Sequence, residues 1–328
     1  MPQYSDTSSP QNALCSADLE KSVSEGIAYL GPEGSHSHQA LQRLLKVICE
    51  DTQLAGCLQL RGLSQSPRLC PETSLRRLIS AVDTGAIPFG VIPVENALEG
   101  SVMESIEALG LDRVNVQVLC EFSVPVKHCL IRQHGTEGHS LEGVISHPQA
   151  LAQCRETLDA RYGVQVVREV ANSTSEAVKL LSAKGKNWAA IGTRAAAQLY
   201  GHNIICEDLA DAPDNATRFL LIASSKCQGL AEQTNACDYP QKTSLCVGLK
   251  DRPGVLVDLL LVFKAYQMNM TRIESRPNRQ HVGEYLFFID VDVDVRQPEY
   301  ERVQMYLEKD SYYLKQVGPY YALGLLEF

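Results

Sequence analysis

The most chemically informative stretch of the sequence is a short polar turn that leads into an apolar strand. Asp214 and Asn215 form the turn, and Thr217 and Arg218 stand at the start of the strand. A guanidinium there can bind a carboxylate through two parallel hydrogen bonds, and a hydroxyl can hydrogen-bond a reacting oxygen. The alternative is structural: Arg218 pairs with an acid such as Asp211 or Asp214, and Thr217 is an ordinary β-branched strand residue. The spacing alone leaves both interpretations open.

Four further polar clusters each follow a predicted strand and precede a predicted helix. Hydroxyls, side-chain amides and free backbone N–H groups at such positions favour a bound anion. Ordinary helix capping is the simpler explanation for any one cluster, but four in one region indicate a site for a carboxylate or a phosphate. The clusters occupy residues 31–37, 95–96, 146–147 and 172–175.

Several specific kinds of site do not fit the sequence. The turn at residues 31–34 lacks the Gly-Lys-Ser/Thr of a phosphate-binding P-loop and the glycine pattern of dinucleotide-binding proteins. His36 and His38 are two residues apart, so on a helix they point in different directions, and the sequence has no His-Glu-x-x-His motif or Cys-x-x-Cys pair. A Gly-x-Ser-x-Gly nucleophile elbow is also absent from the sequence. We therefore expect no metal site, and none of these motifs predicts a bound nucleotide or a nucleophilic serine.

These polar positions need a regular framework, and the apolar pattern of residues 26–223 predicts one. Helices alternate with strands in this pattern. Four helices have start signals, which are Ser35, Pro148 and capping boxes at residues 101–104 and 173–176, and a further helix is predicted at residues 75–82. The predicted strands are residues 27–30, 89–95, 143–146, 164–170, 189–192, 203–207 and 218–223. This alternation predicts an α/β fold with a largely parallel sheet and helices on both of its faces.

Residues 224–242 interrupt the pattern, because they are polar and lack periodicity, and we predict a linker there. The segments after the linker have the order βαββαβ, which is the ferredoxin-like arrangement. They are strands at residues 243–249, 268–275, 283–293 and 312–318 and helices at 254–266 and 298–309. Two folding units are therefore expected.

Composition restricts the class of protein. The length of 328 residues suits two or three domains, and 30 Lys and Arg against 39 Asp and Glu argue against a nucleic-acid binder. The longest apolar stretch, residues 255–263, is too short to span a bilayer, so no membrane association is expected. Residues 1–24 carry no export or transit signal and are predicted to be a disordered lead-in. Without an export signal, the 11 cysteines are predicted to be free thiols in the reducing cytoplasm.

Six motifs in order resemble those of the prephenate dehydratase family. They are YLGPEGSHSHQA, GVIPVENALEGSV, SHPQALAQC, NSTSEA, AAIGTRAAAQLYG and DNATRFLLIA. Three later segments resemble the ACT regulatory domain attached to this enzyme: KTSLCVGLKDRPGVLVDLLLVF, NMTRIESRPNR and EYLFFIDVD. The resemblance covers residues 28–322 and implies a lead-in (1–24), a catalytic domain (25–223), a linker (224–242) and an ACT domain (243–322). The lead-in is too short for a fused chorismate mutase, which implies a monofunctional enzyme.

The resemblance implies a catalytic domain of two lobes, like a type II periplasmic binding protein, with the active site in the cleft between the lobes. The implied reaction converts prephenate to phenylpyruvate with loss of water and carbon dioxide, in L-phenylalanine biosynthesis, and it needs no cofactor. Thr217 would hydrogen-bond the leaving hydroxyl. The positions that match catalytic residues of the family are Thr217, Arg218, Asn96, Ser146 and Gln153. Those expected to contact the substrate are Ser35, Ser37, Gln149, Thr174, Ser175 and Phe219.

The ACT resemblance implies feedback inhibition by L-phenylalanine. In this family the amino acid binds where two ACT domains meet, which implies at least a homodimer, and the family often forms tetramers. The positions near the amino acid would be Gly254, Val255, Leu256, Val257, Asn269, Glu274, Ser275, Arg276 and Pro277. The alternative interpretation of the Glu274 motif is a strand-end salt bridge.

Five residues at three sites depart from the family pattern. Ser35-His36 stands where the family usually has Thr and an aromatic or similar residue. Ala97-Leu98 replaces the usual Ser-Thr, and Val255 replaces the more usual Ala. None of these changes touches Thr217, so activity is expected.

Three alternatives accompany this interpretation. Arogenate, which carries an ammonium in place of the keto group of prephenate, is the nearest alternative substrate, and the sequence does not decide between them. A catalytically inactive amino-acid sensor would not need the Thr217-Arg218-Phe219 motif. A solute-binding protein of the same fold would need an export signal and has no use for an ACT domain.

Overall fold

The structure, a computed structural model, describes residues 26–58, 60, 67–111, 113–136, 138–226, 237–278 and 284–327. The predicted lead-in and most of the predicted linker lie outside these residues. The strands and helices predicted for residues 26–223 are present, but the structure adds strands at Leu69–Glu72, Val116–Pro125 and Cys129–Arg132 that the apolar pattern did not predict. No described helix combines the length and the apolar character that a membrane span requires.

The first lobe is built on one part of a large sheet, with helices on both faces. Its strands are β1 (Ile27–Leu30), β2 (Leu69–Glu72), β3 (Phe89–Asn96), β4 (Gly100–Ser101), β5 (Val116–Pro125) and β11 (Ala216–Ser224). Its helices are α1 (His36–Glu50), α2 (Thr52–Cys57), α3 (Leu75–Asp83) and α4 (Met103–Gly110). The apolar side chains of α1 and α2 bury one face of the sheet, and those of α3 bury the other.

The second lobe has its own five-stranded sheet, in the order β10-β6-β9-β7-β8. The strands are β6 (Cys129–Arg132), β7 (Gly143–Ser146), β8 (Val167–Val170), β9 (Trp188–Gly192) and β10 (Asn203–Cys206). The helices are α5 (Pro148–Gln153), α6 (Arg155–Tyr162), α7 (Thr174–Leu180) and α8 (Arg194–Tyr200). Residues 126–128 and 207–215 are the two connections between the lobes. The lobes therefore flank a cleft that two chain segments cross.

The C-terminal region has the predicted βαββαβ order. Its elements are β12 (Gln241–Leu249), α9 (Val255–Ala265), β13 (Met270–Pro277), β14 (Tyr285–Val291), α10 (Pro298–Asp310) and β15 (Ser311–Leu325). The two helices pack on one face of the four strands and enclose a separate apolar core.

The last strand is longer than predicted, and it joins the two units. The first part of β15 pairs antiparallel with β12, and its second part pairs parallel with β5, where Tyr321 lies opposite Cys120. The strand order is therefore continuous, β13-β14-β12-β15-β5-β11-β3-β1-β2, with β4 beside β3. The C-terminal region shares backbone hydrogen bonds with the first lobe in addition to the covalent linker.

Two predictions about local structure are wrong. The sheets are mixed instead of largely parallel, because β11 returns from the second lobe and pairs antiparallel with both β3 and β5. The capping box at residues 101–104 does not form, because Ser101 is drawn into β4 opposite Glu95 and α4 follows Val102 without a side-chain cap. The caps predicted at Ser35 and Ser173 are confirmed.

Candidate active site

The loop after β1 closes against the second lobe across the cleft. The hydroxyl of Thr193 donates to the carbonyl of Gly34 at 2.6 Å, and the hydroxyl of Ser175 donates to the carbonyl of Glu33. Gly34 has a φ of +78°, and a Cβ there would lie 2.9 Å from Ser175 Oγ. Glycine is required at this point, because a side chain would both strain the backbone and push the lobes apart.

Thr217 lies at the first-lobe side of this cleft, and Asn96 orients its hydroxyl. The Asn96 side-chain amide donates to Thr217 Oγ1 at 2.9 Å. Its carbonyl oxygen accepts from the backbone N–H groups of Leu98 and Glu99, both at 3.1 Å, which determines which end of the amide faces Thr217. The Thr217 oxygen accepts one hydrogen bond, so its own proton is available to a ligand. The departure at Ala97-Leu98 leaves this arrangement intact, because a backbone N–H makes the contact.

Arg218 is engaged by three carboxylates on the other face of the strand. Its guanidinium donates to Glu121 at 3.0 Å and to Asp290 of β14 at 2.7 Å, and the Glu95 carboxylate lies 3.3 Å from Nε. Burial lowers the pKa of Arg218, but Asp290 and Glu121 outweigh it and raise that pKa above its ordinary value. The guanidinium is therefore a fixed cation between the catalytic region and the C-terminal region.

The structure does not bring Arg218 and Thr217 together. Successive residues of a strand point to opposite faces of the sheet, so a cleft-facing Thr217 turns Arg218 away. The expectation that Arg218 anchors a substrate carboxylate is therefore not supported by its position. The alternative of an acid-paired arginine fits, although not with the acids first considered: Asp211 instead accepts from backbone N–H groups at the start of α6.

Gln153 of the second lobe hydrogen-bonds a residue of the first lobe and residues of both connections between the lobes. Its side-chain carbonyl is 2.9 Å from His128 Nε2 and accepts from Asn215 at 3.3 Å, and its amide reaches Glu99 of the first lobe at 3.4 Å. His36 of α1 lies against this cluster, with its ring 5.3 Å from that of His128 in an edge-to-face arrangement. Sequence reasoning did not single out His128, whose only signal was a polar residue between two apolar strands.

The remaining predicted catalytic and substrate positions divide into two groups. Ser146 is fully buried and donates to the carbonyl of Ile191 at 2.7 Å, so its proton is already used within the second lobe. Phe219 stacks on Phe122 at 5.7 Å in the first-lobe core and does not line the cleft. Its predicted contact with the substrate is therefore not supported, because the same apolar packing that forms the core removes the ring from the cleft.

The other predicted substrate positions stand at helix starts. Ser35 caps α1 and also donates to the carbonyl of Leu30 at 3.1 Å. Ser37 and Thr174 are buried near the starts of α1 and α7, whereas Gln149 is exposed on α5. The Ser35 hydroxyl is therefore already engaged at the start of α1.

Part of the predicted effector motif faces the catalytic region. Glu274 of β13 forms ion pairs with Arg276 at 2.6 Å and Arg272 at 3.4 Å and lies within hydrogen-bond reach of the Ser101 hydroxyl. The Arg276 guanidinium also contacts the sulfur of Met103 at 3.3 Å. Burial raises the pKa of Glu274, but these partners outweigh it and hold the pKa below its ordinary value. The salt-bridge interpretation of Glu274 agrees with this arrangement.

The other predicted effector positions lie at the two ends of α9 or on exposed surfaces. Gly254 caps the start of the helix in a left-handed conformation, with a φ of 81°, and Asn269 follows its end. The helix spans about 16 Å at 1.5 Å per residue, so one amino acid cannot touch both positions within one chain. The remaining positions are the partly buried Val255 and Leu256 and the exposed Val257, Ser275 and Pro277.

Comparison with known proteins places this site in a family. The prephenate dehydratase profile matches residues 27–227, and the ACT domain profile matches residues 243–304. The chain belongs to the prephenate dehydratase family. The crystal structure of prephenate dehydratase in complex with L-Phe from Arthrobacter aurescens superposes with a TM-score of 0.75 at 26% identity, covering 90% of each chain. The predicted fold class, a two-lobed α/β catalytic region with a ferredoxin-like ACT domain, is confirmed.

Two relatives within this family illustrate its range. The chain is 32% identical over 325 residues to arogenate dehydratase/prephenate dehydratase 2, chloroplastic, of Arabidopsis thaliana. The aligned region covers 94% of this chain and 76% of the relative. It is 31% identical over 300 residues to the prephenate dehydratase of Methanocaldococcus jannaschii, which covers 91% of this chain and 98% of the relative. Members of the prephenate dehydratase family thus bear names that refer to either substrate.

Proposed function

We propose that the chain converts prephenate to phenylpyruvate, water and carbon dioxide, and that L-phenylalanine inhibits it through the ACT domain. The observation that carries the proposal is the hydrogen bond from Asn96 to Thr217 at the cleft. It leaves the Thr217 hydroxyl proton free to donate to a ligand, in a family named for this dehydration.

The chemistry requires two bonds to break. The bond between the ring and its carboxylate breaks, and its electron pair moves into the ring as carbon dioxide leaves. The ring carbon–oxygen bond breaks at the opposite end, and the departing hydroxide takes up a proton to give water. Thr217 is too weak an acid to supply that proton freely, so it polarises the leaving oxygen by hydrogen bonding while solvent supplies the proton. The gain of aromaticity drives both steps.

The role of Thr217 is tested by removing its hydroxyl. Thr217→Ala is expected to lower kcat for phenylpyruvate formation by about 10²–10³, the usual effect of losing one donor to developing charge. Thr217→Ser is the matched control, because it keeps the hydroxyl next to Asn96 and should retain most of the activity. Near-native turnover by Thr217→Ala would remove the assigned role.

Arogenate is the second candidate substrate. The observation that favours it is that a relative from Petunia hybrida is named arogenate dehydratase 2, while the relative from Arabidopsis thaliana is named for both substrates. Measuring kcat/KM for prephenate and arogenate with the same preparation decides between them. We propose prephenate as the better substrate, and a higher kcat/KM for arogenate would reverse that assignment.

For regulation, we propose a homo-oligomer in which two ACT domains share the phenylalanine site. The separation of Gly254 and Asn269 along α9 supports this, because a second chain must bring such positions together. The exposed face of α9 supplies an apolar surface, with Val257 at 57% and Leu261 at 54% exposure. The strand β13 is also the open edge of its sheet and can pair with a second copy.

We further propose that the ion pairs of Asp290 connect phenylalanine binding with the active site. Asp290 contacts Arg218, which adjoins Thr217, at 2.7 Å, and it contacts Arg272, the partner of Glu274, at 3.5 Å. A movement of β13 on effector binding therefore changes the surroundings of the strand that carries Thr217. Coupling of this kind is typically worth about 1–3 kcal/mol.

The domain boundaries and the compartment remain part of this proposal. The profile matches support a catalytic domain at residues 25–223 and an ACT domain at 243–322. Cys57, Cys120, Cys129 and Cys154 are buried thiols, which supports a reducing compartment such as the cytoplasm.

A further inference from the structure

The position of Arg218 leaves the substrate carboxylates without the partner that the sequence suggested. Prephenate carries two negative charges, and an enclosed dianion needs compensating charge. Three carboxylates already engage the Arg218 guanidinium, on the face of β11 opposite Thr217. The cleft must therefore supply positive charge from other side chains.

His128 offers one incompletely satisfied nitrogen at the cleft floor. Its side chain is 98% buried, since its exposed fraction is 2%. Its Nε2 lies 2.9 Å from the Gln153 carbonyl oxygen, which can only accept, so this nitrogen carries the proton in the neutral ring. The other nitrogen, Nδ1, is buried and has no hydrogen-bond partner. Protonation of Nδ1 would convert it to a hydrogen-bond donor that has no partner within the described residues.

His36 offers a second nitrogen from the first lobe. It is the first residue of α1, a helix of 15 residues whose N-terminus favours negative charge. Its Nε2 is buried without a hydrogen-bond partner, and its ring stands 5.3 Å from that of His128. Burial and the nearby His128 lower the pKa of His36 to about 3, so the ring is neutral in the empty cleft. Burial also lowers the pKa of His128, against the opposing effect of its bond to Gln153.

We propose that His36 and His128 form a subsite for one carboxylate of the substrate and take up a proton from solvent when the substrate binds. The proposal rests on the function proposed above and assigns a role to the histidine that departs from the family pattern. An incoming carboxylate favours the imidazolium, whereas the empty cleft disfavours it. Two acidic residues belong to the surroundings of the pair. Glu99 accepts a hydrogen bond from Gln153, which also contacts His128, and Glu33 lies on the loop before His36. The substrate carboxylate supplies the additional negative charge that protonates the pair.

Kinetics of His36→Phe test the subsite, because phenylalanine keeps a flat ring and removes both nitrogens. The KM for prephenate is expected to rise about 10–100-fold, the loss of a charge-assisted hydrogen bond, while kcat changes less than about threefold. His134→Phe, at an exposed position, is the matched control and should leave KM unchanged. An unchanged KM for His36→Phe would overturn the proposal. His36→Gln, which keeps a donor, should recover part of the lost affinity.

Proton uptake gives a readout that a structural role would not move. Prephenate is titrated calorimetrically into Thr217→Ala, which binds without rapid turnover, at pH 6.5 in two buffers of different ionisation enthalpy. Uptake of about 0.5 proton or more per site is expected. The uptake should be smaller in a double variant that carries both Thr217→Ala and His36→Phe. Binding without any proton exchange would overturn the subsite and leave the dehydratase proposal standing. Failure to bind prephenate at all, in a native enzyme without turnover, would instead overturn the proposed function.

Discussion

Substitution of Asp290 by Asn is the sharpest test of the connection between the two domains. Asp290 is 1% exposed and accepts hydrogen bonds from Ser244 at 2.7 Å and from Arg218 at 2.7 Å. Asn keeps the shape and one acceptor but removes the charge. Loss of one partner from a buried charge costs about 3–5 kcal/mol when the other charge is stranded. Arg218 keeps Glu121 and Glu95, so we expect the smaller cost of a weakened charged hydrogen bond, about 1.5–3 kcal/mol.

The pH dependence of this loss has a definite sign. Burial raises the pKa of Asp290, but Arg218 and Arg272 outweigh it and hold the pKa below its ordinary value. Asp290 therefore contributes stability above the unfolded pKa of about 3.9 and loses it as the pH falls through the lower folded pKa. The difference in free energy of unfolding between wild type and Asp290→Asn should be largest near neutral pH and should close in acid.

The assay combines urea unfolding with phenylalanine inhibition. Asp290→Asn should lower the unfolding midpoint at pH 7 and weaken inhibition by L-phenylalanine by about 5-fold or more, within the usual coupling range. Asp294→Asn is the control, because it removes an acid whose described ion pair is with Arg296 instead of Arg218 or Arg272. A variant with wild-type inhibition would refute the connection, and an unchanged midpoint would refute the estimated stability of the ion pairs.

Three further outcomes are expected. Asn96→Ala should lower kcat about 10²-fold with little change in KM, since it releases the Thr217 hydroxyl; a kcat within twofold of wild type contradicts this. Between pH 6.5 and 4, the free energy of unfolding of the wild type should fall by up to about 1.4 kcal/mol per pH unit relative to that of His36→Phe. The reason is that His36 is neutral in the folded state, where its pKa is about 3, and becomes charged in the unfolded state. Urea unfolding should therefore show different pH dependences for the two proteins, and parallel curves would contradict this prediction. A double substitution of Val257 and Leu261 by Glu should reduce the oligomer mass measured by light scattering and abolish the phenylalanine response; an unchanged mass would place the interface elsewhere.

Local structure was largely predictable because it depends on neighbouring residues. The strand at residues 27–30, the Ser35 and Ser173 caps and the βαββαβ order follow from spacing over a few positions. The capping box at residues 101–104 failed for the opposite reason, since pairing of Ser101 with β3 overrode a locally favourable cap. The extension of β15 also depended on a distant partner, the free edge of β5.

The candidate site shows the same division. Thr217 and Asn96 were predicted from their motifs, and β3 pairs with β11 so that the two residues are directly opposite each other. The partners of Arg218 could not be predicted, because Glu121 and Asp290 are 97 and 72 positions away along the chain. His128 also escaped notice, because its importance depends on His36 and Gln153, which are distant along the chain and meet it only in the folded structure.

The sequence by itself determined the family, the order of secondary structure and the polar residues available to the cleft, since motifs, periodicity and capping act over short distances. Tertiary structure alone decided which way each of these residues faces and what it touches. Thr217 and Arg218 are adjacent, yet the alternation of a β-strand sends the hydroxyl toward the cleft and the guanidinium into the domain junction. Charge compensation is a property of the three-dimensional surroundings, and here it assigns Arg218 to the junction and leaves the cleft to His36 and His128.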